Sequence, residues 1–246
     1  MSELVQGFVK NRVFHLELHR TDKKNALTGE MYQAMTKLLA KAELDPDVTV
    51  ILFKGGHHSF CAGNDIADFL DESVLDPDGP IATFLHKLAD LKKPMIAAVS
   101  GPAIGIGTTL LLHCDLVYAT NEAVFSMPFV NLGVCAEAGS SYLLSRQIGQ
   151  LRAAELLLTG DAFNAQRALE YGIINAVVAS EDYWQFATEK AEKLAAKPQA
   201  ALLASRELMK FDREKIHQVI DQEIAEFSRL LKTAEAKAIF KQFLSR

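Results

Sequence analysis

The chain has 246 residues, 49% hydrophobic and 23% charged, the balance of a folded globular protein and not of a disordered one. A formal net charge of −5 makes nucleic acid a poor partner. Met1-Ser2-Glu3-Leu4-Val5 is neither basic nor apolar enough for a signal peptide, and glycines, a proline and His113 break the most apolar stretch, so no membrane partner and a cytoplasmic placement are expected.

Val13-Phe14-His15-Leu16-Glu17-Leu18-His19 alternates apolar and polar residues, the pattern of a half-buried strand. A helix capped by Thr28 is expected to run to about residue 43, Asp45-Pro46-Asp47 to turn the chain, and residues 48–53 to form a strand. The acidic, breaker-rich run 71–80 reads as a surface loop. A helix over 81–91 follows, ended by Lys93-Pro94, then a strand over 95–99, a glycine turn, a helix over 108–113 and a strand over 115–118. Short helices are expected over 140–148, 151–159 and 165–171, with one more strand over 173–178.

From residue 181 onward nearly everything reads as helix, over 183–197, 199–211, 214–231 and 233–243. Strands separated by helices imply crossover connections and an α/β core, here residues 1–180, with a helical C-terminal region over 181–246. The apolar residues of that region, among them Phe227, Leu230, Phe240 and Phe243, exceed what a lone hairpin can bury. They are expected to pack on the core or on a neighbouring subunit.

Two glycine turns carry the chemistry. Phe60-Cys61-Ala62-Gly63-Asn64-Asp65 and Gly101-Pro102-Ala103-Ile104-Gly105-Ile106-Gly107 each follow a strand-like run, and the second opens an apolar helix. A helix start leaves unpaired N–H donors with partial positive charge, and two such donors converging on one carbonyl oxygen make an oxyanion hole. The pattern points to an enzyme that stabilises an enolate or a tetrahedral oxyanion. Cys61, Cys114 and Cys135 are odd in number and lack CxxC spacing, which argues for buried free thiols and against a disulfide framework or a zinc site. His57-His58 has no third ligand at metal spacing, so no metal is expected, and the second turn is not a dinucleotide fingerprint.

Beyond these turns, Asn25-Ala26-Leu27, Lys93-Pro94-Met95, Cys114-Asp115, Phe125-Ser126-Met127-Pro128, Leu132-Gly133, Leu158-Thr159-Gly160 and Ala168-Leu169-Glu170-Tyr171-Gly172 occur in fixed order. Together they resemble the crotonase, or enoyl-CoA hydratase/isomerase, superfamily. The resemblance implies a spiral of ββα units, acyl-CoA thioester substrates with no cofactor beyond the coenzyme A they carry, and a homotrimer or dimer of trimers. It puts the oxyanion donors at the backbone amides of Asn64 and Ile106. It further implies substrate contacts from Lys24, Asn25, Ala26, Ala62, Gly63, Asp65, Ile66, Gly105 and Phe129. Basic residues near Arg20, Lys23 and Lys24 are candidates for the coenzyme A phosphates or simply a solvated loop, and Lys237 and Lys241 could reach a neighbouring subunit's site.

Hydratases of this superfamily use two glutamates, at positions that here are Thr109 and Phe129. One acid remains in the region: Glu137, before Ala138-Gly139-Ser140-Ser141-Tyr142. That segment resembles the peroxisomal type of Δ3,Δ2-enoyl-CoA isomerase, in which a single glutamate is the base. An apolar setting is expected to raise its pKa. The alternatives are another crotonase reaction (hydratase, decarboxylase, dehalogenase or C–C hydrolase) or a non-catalytic acyl-CoA or partner-binding module. Asp65, Asp68, Asp71 and Glu72 compete as acids, although Asp65 reads as a helix cap and the run as a polar helix face. Asp115 and His113 read as structural.

Overall fold

Asn11 and Arg12, both at positive φ (50° and 65°), form a two-residue turn that joins β1 (Val5–Lys10) to β2 (Val13–Leu18) in antiparallel register. Positive φ at both positions matches the right-handed twist of the flanking strands. β1 escapes the alternation rule because it is a half-exposed edge. At Gly7 any Cβ would lie 2.5 Å from the ring of Phe14, so this edge position carries no side chain at all. The computed structural model describes residues 3–68, 76, 78–210 and 212–244; the expected loop over 71–80 falls largely outside them, as does residue 211.

β2 continues through β3 (Val50–Lys54), β4 (Met95–Val99), β6 (Leu116–Thr120) and β9 (Ala176–Val178), all parallel, giving a six-stranded sheet in the order β1-β2-β3-β4-β6-β9. β3 and β4 are buried along their whole length, as near-continuous apolar runs in a parallel sheet must be. Their side chains divide with period two. Ile51, Phe53, Met95, Ala97 and Val99 enter the main core with α1 (Gly29–Leu44) and α2 (Pro80–Asp90). Val50, Leu52, Ile96 and Ala98 meet Tyr183, Ala187, Ala191 and Ala195 of α7 (Tyr183–Ala195).

A smaller sheet takes β5 (Pro102–Ile104), β7 (Val124–Ser126) and β8 (Phe163–Asn164). At two or three residues each, these strands are too short to show a period. The chain steps from β4 in the large sheet to β5 in the small one and then into α3 (Ile106–Thr109), and the step repeats from β6 to β7. The fold is therefore the expected spiral of strand–strand–helix units. The helix expected over 108–113 begins earlier, at Ile106, and tightens into a 3-10 turn over Leu110–His113. The strand expected over 173–178 starts only at Ala176, because Ile173 and Ile174 turn into the main core.

α4 (Ser140–Ile148), α5 (Gln150–Thr159) and α6 (Ala165–Glu170) follow as expected. At the C-terminus come α8 (Gln199–Met209), α9 (Arg213–Leu231) and α10 (Ala234–Leu244). α9 packs on α2 and α4, burying Ile216, Val219, Ile220, Glu223, Ile224 and Phe227 along one stripe. The glutamate on that apolar stripe matters below. No helix among the described residues is long and apolar enough to cross a membrane.

Candidate active site

The two glycine turns lie side by side. Cys61 and Ala103 pair as a parallel bridge, and the Ile104 amide donates to the Cys61 carbonyl at 2.9 Å. A Cβ at Gly107 would sit 2.5 Å from that same carbonyl oxygen, so only glycine allows the contact. Gly63 (φ +96°) and Gly105 (φ +55°) adopt conformations that L side chains rarely take. Asn64 and Ile106 each follow the paired residues by three positions, so the parallel register carries them forward together. Among the described residues, neither amide donates to a protein acceptor. Ile106 is moreover the first residue of α3, where the helix leaves its N–H groups unpaired.

Glu137 lies close to α3. Its side chain is buried, and its carboxylate accepts the hydroxyl of Thr109, three residues beyond Ile106 on the same helix, at 2.6 Å. Burial pushes the Glu137 carboxyl up to about 8; the Thr109 hydroxyl pulls it down and the charge of Glu223 pushes it further up. Buried Tyr32 of α1 donates from its phenol to Asn64 Oδ1. Burial and then the charge of the Glu137 carboxylate hold that phenol well above its usual range. The Cys61 thiol is likewise pushed up to about 12 by burial, so it stays protonated.

The backbone around Glu137 is fixed at every step. Ala138 and Gly139 are consecutive left-handed residues (φ +62° and +71°), a conformation that costs an alanine about 1–2 kcal/mol. The Glu137 carbonyl accepts from Ser140 N at 3.1 Å, and the Ala138 carbonyl accepts from His113 Nε2 at 2.8 Å. Burial lowers the His113 pKa to about 4, so the ring is neutral and its one N–H is spent on this bond. That makes His113 the packing residue the sequence suggested and removes it as a competing base. The ring of Phe129 lies 3.8 Å from where a Cβ at Gly105 would be, so an apolar side chain covers the second turn at the position of the missing acid.

The enoyl-CoA hydratase/isomerase family pattern matches residues 9–246. The chain belongs to this family. It is 30% identical to 2,3-dehydroadipyl-CoA hydratase of Escherichia coli (strain K12) over 250 aligned positions, covering 100% of this chain and 97% of that enzyme. It is 33% identical to enoyl-CoA delta isomerase 2 of Rattus norvegicus over 215 positions and 85% of its own length, but spans only 55% of the rat enzyme. The solved structure of Pseudomonas aeruginosa OdaA superposes with a TM-score of 0.96 at 42% identity, each chain covered completely. The protein is accordingly an acyl-CoA enzyme of the hydratase/isomerase type, with the crotonase fold.

Within this family member the basic loop departs from expectation. Asn25 is fully buried: its side chain accepts from the Arg20 amide at 2.8 Å and donates to the Ser59 and Phe60 carbonyls at 3.0 and 3.2 Å. It ties the loop to the first glycine turn instead of facing a ligand. Arg20 is committed too, donating to the Ala26 carbonyl at 2.8 Å and pairing with Asp65 at 2.7 Å. Asp65 also accepts from Ala67 N at 3.1 Å, a local turn cap, so its carboxylate is structural. Asp68 accepts from Gly29 N at 2.8 Å at the start of α1, which removes another competing acid; Asp71 and Glu72 lie outside the described residues. Lys24 keeps an exposed side chain, while its carbonyl accepts Ala62 N at 3.0 Å. Ala26, Ala62 and Ile66 are partly buried along the same edge, and Gly63 is buried.

Asp115 is structural as expected. It accepts from Met95 N at 2.8 Å and from buried Arg206 at 2.9 Å, and Arg206 also donates to the Leu91 and Lys92 carbonyls. Three residues of this arrangement went unread in the sequence. Thr109 registers there only as the position of a lost acid, and Tyr32 and Glu223 not at all. A signal existed for Glu223: it is an acid on the apolar stripe of α9, four residues before Phe227.

Proposed function

We propose that the protein moves the double bond of 3-enoyl-CoA thioesters to the 2-position, with Glu137 as the base and the amides of Asn64 and Ile106 as oxyanion donors. The observation that carries this reading is the buried carboxylate of Glu137, held by Thr109 on the helix that begins with Ile106. Hydration needs one group to activate water and another to deliver a proton. Isomerisation needs a single carboxylate: it takes a proton from C2, the electron pair spreads into a dienolate, and the same carboxyl returns the proton to C4. The double bond then lies between C2 and C3, nothing is consumed, and the coenzyme A of the substrate is the only nucleotide required.

Each part of the site has a role in that sequence. The thioester oxygen gains negative charge in the dienolate, and unpaired amides aimed at it favour the transition state over the ground state. A carboxyl with a pKa near 8 is a stronger base once ionised than an ordinary glutamate, and can give the proton back. Phe129 supports a dry pocket in which water does not compete as the nucleophile. The exposed Lys23 and Lys24 side chains are the remaining loop candidates for the coenzyme A phosphates. Exposed Leu151, Leu158, Leu208 and Met209 support self-association, here proposed as a homotrimer or a dimer of trimers.

The test is conversion of trans-3-hexenoyl-CoA to the conjugated 2-enoyl thioester, followed by absorbance, for wild type and Glu137→Gln. Turnover by wild type that falls at least a thousandfold in the variant is the expected result. Unchanged turnover in the variant removes Glu137 as base. Binding without turnover in the wild type transfers the site to another crotonase reaction or to a binding module.

A further inference from the structure

We propose that Glu223, on α9 and outside the glycine turns, is a positioning residue that fixes the catalytic Glu137 by capping α4 from a distance; this rests on the reading of Glu137 as the base. α4 begins at Ser140 with Gly139 as N-cap, and a glycine has no side chain to satisfy the orphaned amides of the first turn. The Glu223 carboxylate does so from 84 residues further along. One oxygen accepts Gly139 N at 2.6 Å; the other accepts Ser141 N at 2.9 Å and Ser141 Oγ at 2.5 Å. Burial raises the Glu223 carboxyl above its ordinary range, while these three bonds pull it back toward the ionised form. Ordinary helix caps come from the adjacent residue; here a buried charge is imported from another element.

The geometry ties this cap to the base. Gly139 and Ala138 are the two left-handed residues that separate Glu137 from α4, and a left-handed alanine persists only where its surroundings enforce it. Glu223 grips the far side of that pair at Gly139 N, and His113 grips the Ala138 carbonyl. Released, the segment is free to relax toward ordinary φ values and to swing the Glu137 side chain off Thr109. Glu223 also acts through its charge. The titratable groups facing the two carboxylates are Tyr32 of α1, Cys61 of the first turn, Cys135 on the same segment and His113. Tyr32, Cys61 and Cys135 stay protonated and His113 stays neutral at neutral pH, while Lys210 of α8 reaches the His113 carbonyl at 3.3 Å. Glu226 and Arg229, further along α9, pair with each other on the surface. Glu223 is thus the charge that bears on Glu137 directly, and it disfavours ionisation of the base.

The experiment compares wild type, Glu223→Gln and Ser141→Ala in full pH profiles of trans-3-hexenoyl-CoA turnover. Alongside it, the Glu137 carboxyl is titrated by carbon-13 side-chain NMR, assigned with Glu137→Gln. A glutamine cannot accept at all three donors and carries no charge. The expected result is a kcat lowered on the order of tenfold to a hundredfold with KM little changed, and an acidic limb and NMR titration of Glu137 both moved to lower pH. Ser141→Ala, which removes one donor and leaves the charge, is expected to lower kcat a few-fold with the acidic limb in place. If Glu223→Gln keeps wild-type kcat, the proposal is overturned. A lowered kcat with an unmoved limb and titration makes Glu223 a fold residue only, which also overturns it. Should Glu223→Gln fail to fold, Ser141→Ala decides by the presence or absence of its kcat loss. If wild type does not isomerise at all, the proposed reaction fails while the NMR titration still tests the coupling of Glu223 to Glu137.

Discussion

Replacing Glu137 by glutamine is expected to stabilise the protein while abolishing its chemistry, and the size of the gain follows from the burial of the carboxyl. Its pKa rises from an ordinary 4.5 to about 8, chiefly because burial disfavours the charge. At about 1.4 kcal/mol for each tenfold change in proton affinity, the full difference is roughly 5 kcal/mol. Between pH 4.5 and 8 the folded state holds a proton that the unfolded chain has released. Stability at this group therefore falls as pH rises through that window. Glutamine keeps the volume and an oxygen for the Thr109 hydroxyl, but has no such dependence. The stability difference, variant minus wild type, is expected to climb by roughly 3 kcal/mol from pH 5 to pH 7.5. Urea denaturation of both proteins at the two pH values reads it directly, and the background titration of the rest of the chain cancels in the difference. A gap that stays constant with pH would mean that the carboxyl titrates alike in both states. That would place it in water and refute the argument for a buried base.

Thr109→Val removes the one hydroxyl that favours the ionised form of Glu137; the acidic limb of the pH–rate profile is expected to move up by about one pH unit, with lower activity at neutral pH. An unmoved limb would show that the bond seen here is not made in solution. Arg206→Met breaks a buried ion pair, leaving Asp115 with Met95 N and Lys210 and the Leu91 and Lys92 carbonyls without the guanidinium, so a loss of about 3–5 kcal/mol is expected in thermal or urea unfolding. Gly107→Ala drives a Cβ against the Cys61 carbonyl oxygen, where only backbone can give way. Turnover is expected to fall at least a hundredfold by prying the two turns apart, and wild-type kcat in this variant would show that their spacing does not matter to catalysis.

Much of this site is legible in sequence because its parts are local. A glycine turn that opens an apolar helix announces unpaired amides, and the resemblance picks Asn64 and Ile106 as the candidate donors. Glu137 stands out as an acid in an otherwise uncharged stretch, and its candidate role as base comes from the resemblance to the peroxisomal type of isomerase. What sequence cannot display is satisfaction of partners across long separations. Asn25 sits in a segment that reads as ligand-facing, yet its buried amide is used up by Arg20, Ser59 and Phe60. The small sheet is invisible for a different reason: β5, β7 and β8 are two or three residues long, below any period, and owe their extension to pairing.

Glu223 joins these two kinds of blindness. The local rules give Gly139 no capping side chain and make Ala138 an implausible left-handed residue, so the sequence around Glu137 looks weakly specified. Conflict between local preference and observed backbone is expected where function holds the chain in place. Here the resolution is a carboxylate on the apolar stripe of a helix more than eighty residues away. An acid in such a stripe is costly unless every lone pair is used, and Glu223 uses its oxygens on three donors. Two buried carboxylates from distant parts of the chain thus bear on one segment. Three bonds favour the ionised form of Glu223 against its burial, and Glu137 is held from ionising by burial and by its neighbour's charge. In the proposed isomerisation, a carboxyl held above its ordinary range in this way is available both to take a proton and to return it.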